Sequence, residues 1–154
     1  MLKFAFLGAW HSHAPMHVRE AAETPDEFQL LVMYDADSEV IEQNLQKWRG
    51  DGVDISVFDS VDDVLNSEAE AVVVEGHVYE NLDYVERALN AGKHVLLEKP
   101  AGVDLVQLEK VHALSEEKGL MLQMAYMWRY NPAVDEMLSL VREGHLGQVF
   151  MYRG

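Results

Sequence analysis

The sequence predicts an α/β fold, a doubly wound and mostly parallel sheet with helices on both faces. Two observations carry that prediction. Short apolar runs alternate with segments of helical periodicity along the whole chain, and the runs are too uniformly apolar for strands with one wet face. The first run also ends in a glycine followed at once by a helical pattern, the order with which dinucleotide-binding folds begin.

The elements follow in order. "LKFAFLG" (2–8) reads as a buried strand and "HAPMHVREAAE" (13–23) as a helix that tolerates Pro15 in its first turn. "FQLLVMYD" (28–35) is the second strand, and "SEVIEQNLQKW" (38–48) a helix capped by Asp37 or Ser38 and stopped by Gly50. "DISVF" (54–58) is a third strand, and "SVDDVLN" (60–66) a brief helix with Ser60 as cap and Asp63 three residues on. "EAVVVEG" (70–76) is the fourth strand, with a helix over 79–91 that ends at Gly92. "KHVLLEKP" (93–100) is the fifth, broken off by Pro100, and the helix after it (104–118) stops at Gly119. "LMLQMAY" (120–126) is the sixth, "PAVDEMLSLVREG" (132–144) a helix, and "GQVFMYR" (147–153) the start of a seventh strand. A strand end is a poor place for a finished domain to stop, so the chain is expected to be a truncated piece, with one domain over 1–146 and the start of another over 147–154.

Composition narrows the function. The 154 residues are 49% hydrophobic and 25% charged, enough for one domain with a full core. Asp and Glu outnumber Lys and Arg 27 to 12, for a net charge of -15, which argues against nucleic acid and against anionic membrane surfaces as partners. With no cysteine, disulfides and thiolate metal sites are excluded. The apolar run at the N-terminus is too short for a signal peptide, so a cytoplasmic location is the expectation.

In such sheets ligands bind beyond the carboxyl ends of the strands, which directs attention to the loops near Gly8, Asp35, Gly76 and Glu98. Asp35 ends the second strand, where dinucleotide folds place an acid for the adenosine ribose; a carboxylate there would repel a 2'-phosphate and favour NAD over NADP. Read without context it is equally a strand-terminal Asp beside a helix cap. "GKHVLLEKPAG" (92–102) sets Lys99 at the end of a buried strand, fixed by Pro100, where it could hold the nicotinamide ribose or polarise a substrate hydroxyl with Glu98 as partner. Alone, that pair also reads as a solvated strand end. "AYMWRYNP" (125–132) puts Trp128, Arg129 and Tyr130 after the sixth strand, either as a ligand wall or as the lead into a helix capped by Asn131.

Taken together, the opening strand–glycine turn, "ALNAGKHVLLEKPAG" and "MWRYNPAVDEMLSLVREGHLGQV" resemble the Gfo/Idh/MocA family of glucose–fructose oxidoreductase and inositol dehydrogenase relatives, from Gly8 to Val149. The resemblance implies a Rossmann domain binding NAD or NADP, in enzymes that oxidise or reduce hydroxyls of sugars and polyols. It implies that Lys99 is catalytic, near nicotinamide and substrate, with Glu98 and Pro100 as its motif neighbours, Asp35 as the ribose acid and Arg129 as the motif arginine. It further implies a following domain that supplies the acid–base group and usually the oligomer interface. The phosphate turn departs from the pattern: Trp10 and His13 stand where the second and third glycines are usual, "GHV" (Gly76, His77, Val78) stands for the usual T-P-N, and Asn81 for a histidine. Gly8 still provides the tight turn, and Ser12, His13 and the helix N-terminus offer donors to an anion.

Two other readings remain. Trp10 should obstruct a close pyrophosphate, which favours a non-catalytic binding or regulatory protein of the same fold. His11, His13 and His17 would suit zinc or a related ion, but the loop lacks a strong ligand signature and the sequence assigns no metal.

Overall fold

A computed structural model describes residues 1–50 and 52–153. The strands are β1 (Leu2–Ala9), β2 (Phe28–Tyr34), β3 (Ser56–Val57), β4 (Ala71–Glu75), β5 (His94–Leu97) and β6 (Leu122–Met124). The helices are α1 (Ala14–Glu23), α2 (Ser38–Gly50), α3 (Val61–Leu65), α4 (Asn81–Asn90), α5 (Leu105–Lys118) and α6 (Pro132–Arg142), with a 3-10 turn over Met127–Tyr130. The strands form one parallel sheet in the order β3-β2-β1-β4-β5-β6, so the direction of winding reverses between β1 and β4. That is the doubly wound Rossmann order, and the crevice at the reversal is its ligand site.

The period of two along β1 explains why both faces are covered. Ala5 and Leu7 join Val72, Val74, Val95 and Leu97 against α3, α4 and Val111 of α5. Phe4 and Phe6 point the other way, into a second core with Ala14 and Val18 of α1 and Trp48 of α2. Trp48 is fully buried and stacks on Phe6, with ring centroids 5.9 Å apart. Each strand is thus apolar on both sides, the pattern seen in the sequence.

Local signals set the helix ends. Ser60 Oγ accepts the Asp63 amide at α3, Asp104 Oδ1 accepts the Val106 and Gln107 amides at α5, and Asn131 Oδ1 accepts the Ala133 amide at α6. Gly119 closes α5 in the left-handed conformation.

The structure corrects the expectation of a seventh strand. Residues 148–153 pair with no strand among the described residues, and Phe150, Met151 and Tyr152 are exposed; a strand without a neighbour has no partner for its backbone groups. Gly154 lies outside the described residues. The fifth strand is also shorter than expected: it ends at Leu97, the Glu98 amide makes a last bond to the Val74 carbonyl, and Lys99 and Pro100 stand beyond the carboxyl end of the strand.

One close approach fixes the reversal point. Gly8 has φ +75°, and a Cβ on it would lie 2.3 Å from the Gly76 Cα. The pairing of β1 with β4 shifts register at this place, between Leu7 and Ala9. Any side chain at Gly8 would both strain φ and push the ends of β1 and β4 apart. Gly8→Ala should therefore destabilise the fold by about 3 kcal/mol or more in a denaturant titration. The exposed Gly92→Ala, where a Cβ meets nothing within 4 Å, should carry only its positive-φ cost of about 1 kcal/mol.

Candidate functional site

The turn from β1 to α1 is held on three sides. The Ala9 amide donates to Asp35 Oδ2 at 2.7 Å, Asn44 Nδ2 of α2 donates to the Ala9 carbonyl at 2.7 Å, and the His11 amide donates to the Glu75 carbonyl at 2.8 Å. The last bond places His11 over the end of β4. Ala14 is the first residue of α1, so its helical turns carry His17 toward the same strand ends.

Beneath this turn lie two buried carboxylates, Glu75 ending β4 and Glu98 following β5, 0% and 2% exposed. Three imidazoles face them. His17 Nε2 is 3.0 Å from Glu75 Oε1, His13 Nδ1 is 3.2 Å from Glu98 Oε2, and His11 Nδ1 is 3.4 Å from Glu75 Oε2 and 4.0 Å from Glu98 Oε1. Lys99 Nζ lies 3.5 Å from Glu98 Oε1 and 3.0 Å from His11 Nε2. Of the contacts to the two carboxylates, that of His13 with Glu98 has hydrogen-bond geometry, whereas both Glu75 oxygens and Glu98 Oε1 are without a hydrogen bond among the described residues.

The sequence-predicted residues separate into groups. Gly8, Gly76, His13, Glu98 and Lys99 meet at the reversal point, with Pro100 exposed beyond it. Asp35 is 4% exposed and spends both oxygens on backbone amides, those of Ala9 and Asp37, the latter at 2.9 Å. Asp37 and Glu39 instead line a cavity of about 290 Å³ with Trp10 and Asn44. Trp10 is half-exposed and leans on His77, centroids 4.5 Å apart, while His77 stacks on Tyr79 at 5.3 Å. Ser12 is exposed. Arg129 is exposed in the 3-10 turn and pairs with no carboxylate among the described residues.

The helix N-terminus differs from the sequence expectation. The His13 amide donates to His11 Nδ1 at 3.2 Å, the Ala14 amide to the His11 carbonyl at 3.1 Å, and the Met16 amide to the His13 carbonyl at 2.8 Å; Pro15 has none. The first-turn donors that an anion would use are already engaged. Glu75 is the residue that the sequence reading passed over. As the last letter of "AVVVE" it looks like an ordinary strand terminus, and only the parallel pairing of β4 with β1 brings it under the histidines.

Residues 2–126 match the family model described as "Oxidoreductase family, NAD-binding Rossmann fold", GFO_IDH_MocA. The chain belongs to this family. A dTDP-3,4-didehydro-2,6-dideoxy-alpha-D-glucose 3-reductase from Actinomadura kijaniata is 34% identical over 82 residues, 53% of this chain and 25% of that protein. Inositol 2-dehydrogenase of Salmonella typhimurium is 25% identical over 140 residues, 90% of this chain and 41% of that one. The fold is shared with scyllo-inositol dehydrogenase from Lactobacillus casei, solved with NAD(H) and scyllo-inositol, at a TM-score of 0.79 and 24% identity over 96% of this chain and 43% of that chain. The chain spans less than half the length of these relatives. Among the described residues no helix is long and apolar enough to cross a membrane.

Burial holds the His11 imidazole below its ordinary value of 6.5; Glu98 and Glu75 pull it up, less strongly, and Lys99 and His13 push it down. In the pH interval just below 6.5 the unfolded chain therefore binds more protons at this position than the folded one. Stability contributed here is present above that interval and lost as pH falls through it. Thermal melts of wild type and His11→Gln between about pH 5 and 7.5 should show a shallower acid loss in the variant.

Proposed function

We propose that the chain is the nucleotide-binding portion of an NAD(P)-dependent oxidoreductase acting on a CH–OH group of a sugar, polyol or related compound. Residues 1–146 form the dinucleotide-binding domain, and 147–154 lead into a substrate domain that contributes the remaining catalytic group and a homo-oligomer interface. The observation that carries the proposal is the meeting of the β1, β4 and β5 ends at the sheet reversal with Lys99 in the crevice.

The residues present fit the cofactor at both ends. Adenosine would lie in the cavity bounded by Trp10, Asp37, Glu39 and Asn44, where the acids suit ribose hydroxyls and repel a 2'-phosphate. Asp35 acts there through the backbone it holds rather than by direct contact, so NAD is favoured by Asp37 and Glu39 as much as by Asp35. The pyrophosphate would pass Gly8, Trp10, Ser12 and His13, with Gly76 and His77 on the opposite rim, and the nicotinamide end would face Glu98, Lys99 and Pro100. When bound, the cofactor supplies hydride transfer. Lys99 holds the substrate oxygen and stabilises charge on it, and Glu98 Oε1, 3.5 Å from Nζ, with the His11 ring on the other side, positions the lysine ammonium. Arg129, outside this cluster, contacts cofactor or substrate only in company with the following domain.

A non-catalytic binding role draws on the engaged amides at the start of α1; it requires that the whole protein bind a nucleotide or sugar without turnover. In the whole protein, Lys99→Met should lower kcat/KM by about 100-fold or more while the Kd for NADH changes less than about 10-fold. Calorimetry should also show NADH binding more tightly than NADPH, with Asp37→Ser narrowing the gap. No turnover of any polyol or sugar by wild type, with NADH still bound, would favour the non-catalytic role.

A further inference from the structure

We infer that His17, Glu75 and Glu98 form a binding site for one first-row divalent metal ion of the zinc class, with His11 and His13 supporting it. The donor atoms of the His17–Glu75–Glu98 trio lie within 4.8 Å of one another, as do those of a neighbouring trio, His11–His13–Glu98, that shares Glu98. Zinc bonds of about 2.05 Å place adjacent tetrahedral ligands about 3.3 Å apart, and octahedral ones somewhat closer. The 3.0 Å between His17 Nε2 and Glu75 Oε1 and the 3.4 Å between His11 Nδ1 and Glu75 Oε2 fall in that range.

The carboxylate oxygens point to a missing partner. Glu75 and Glu98 are at least nine-tenths buried, yet three of their four oxygens receive no hydrogen bond. A buried anion without a partner is costly, and such groups in proteins are paired or coordinate metals. The cationic Lys99 offsets one of the two charges. A divalent ion would more than offset the charge that remains. The fourth oxygen, Glu98 Oε2, takes His13 Nδ1, the kind of outer contact that aims a ligating carboxylate. Imidazole and carboxylate donors without sulfur select zinc and its first-row neighbours over calcium or magnesium. A cavity of about 170 Å³ bordered by His13, His17, Glu98, Tyr126 and Tyr130 gives access from solvent.

The site does not depend on dinucleotide binding, so it is tested with the metal alone. Untagged protein is stripped with chelator and titrated with Zn²⁺ by calorimetry, with Mg²⁺ and Ca²⁺ as counter-probes. The expected result is one saturable zinc equivalent, no response to Mg²⁺ or Ca²⁺, and at least about 100-fold weaker binding in both Glu75→Gln and His17→Gln. His112→Gln, which alters an exposed imidazole paired with Glu116, should bind as wild type does. Thermal melts guard against a variant that misfolds: stripped Glu75→Gln should melt no lower than stripped wild type, since it removes an uncompensated charge, and only wild type should gain from zinc. Absence of a saturable equivalent in wild type, or its retention in both ligand variants, would overturn the inference.

Discussion

The structure around the crevice depends on the burial of two carboxylates, Glu75 and Glu98, at the ends of adjacent parallel strands. In a doubly wound sheet the crevice lies beyond the carboxyl ends beside the reversal, which here falls between β1 and β4, with β5 next to β4. The Gly8–Gly76 approach draws β1 onto β4 there, and the His11 amide then closes on the Glu75 carbonyl. The consequence is a turn whose side chains face inward to anions, although the same turn in a dinucleotide fold faces outward to one. Four basic side chains, His11, His13, His17 and Lys99, are arranged around that pair.

This arrangement gives the crevice two electrostatic characters. On the β2 side, Asp37 and Glu39 present acids to a sugar-sized cavity beside Trp10. On the β5 side, Lys99 stands half-buried between Glu98 and His11, where the proposed function has its ammonium meet a substrate oxygen. A chain with a net charge of -15 also sets a negative potential around the crevice, which raises the local concentration of cations rather than of phosphates. Under the proposed function, cofactor binding at this turn would rely on shape and on the two flanking regions more than on free amides of α1. A divalent ion beneath the turn would reduce the repulsion that a pyrophosphate meets.

Much of this was legible in the residue pattern, and the parts that were not share a cause. The alternation of apolar runs and helical periods is a local property, so the six strands and six helices of the described residues follow from it, as do the caps at Ser60, Gly119 and Asn131. The location of Glu98 and Lys99 just past β5 was legible because the apolar run ends there ahead of Pro100, although the strand itself stops at Leu97. Glu75 was not, because a strand-terminal glutamate acquires meaning only from the parallel neighbour that places histidines above it. Asp35 was found in its expected position but with its oxygens spent on the backbone, a hydrogen-bonding detail that spacing does not carry. The run after Gly147 has strand composition, yet forms no strand, since sheet pairing requires a partner that sequence composition cannot supply.

The turn after β1, as inferred, is organised around buried carboxylates that hold a cation. Anomalous diffraction from zinc-soaked crystals, recorded on both sides of the zinc absorption edge, tests it most directly. A single strong peak is expected within bonding distance of His17 Nε2, Glu75 and Glu98. A map with peaks only at exposed histidines such as His112 or His145, and none among those three side chains, would contradict it.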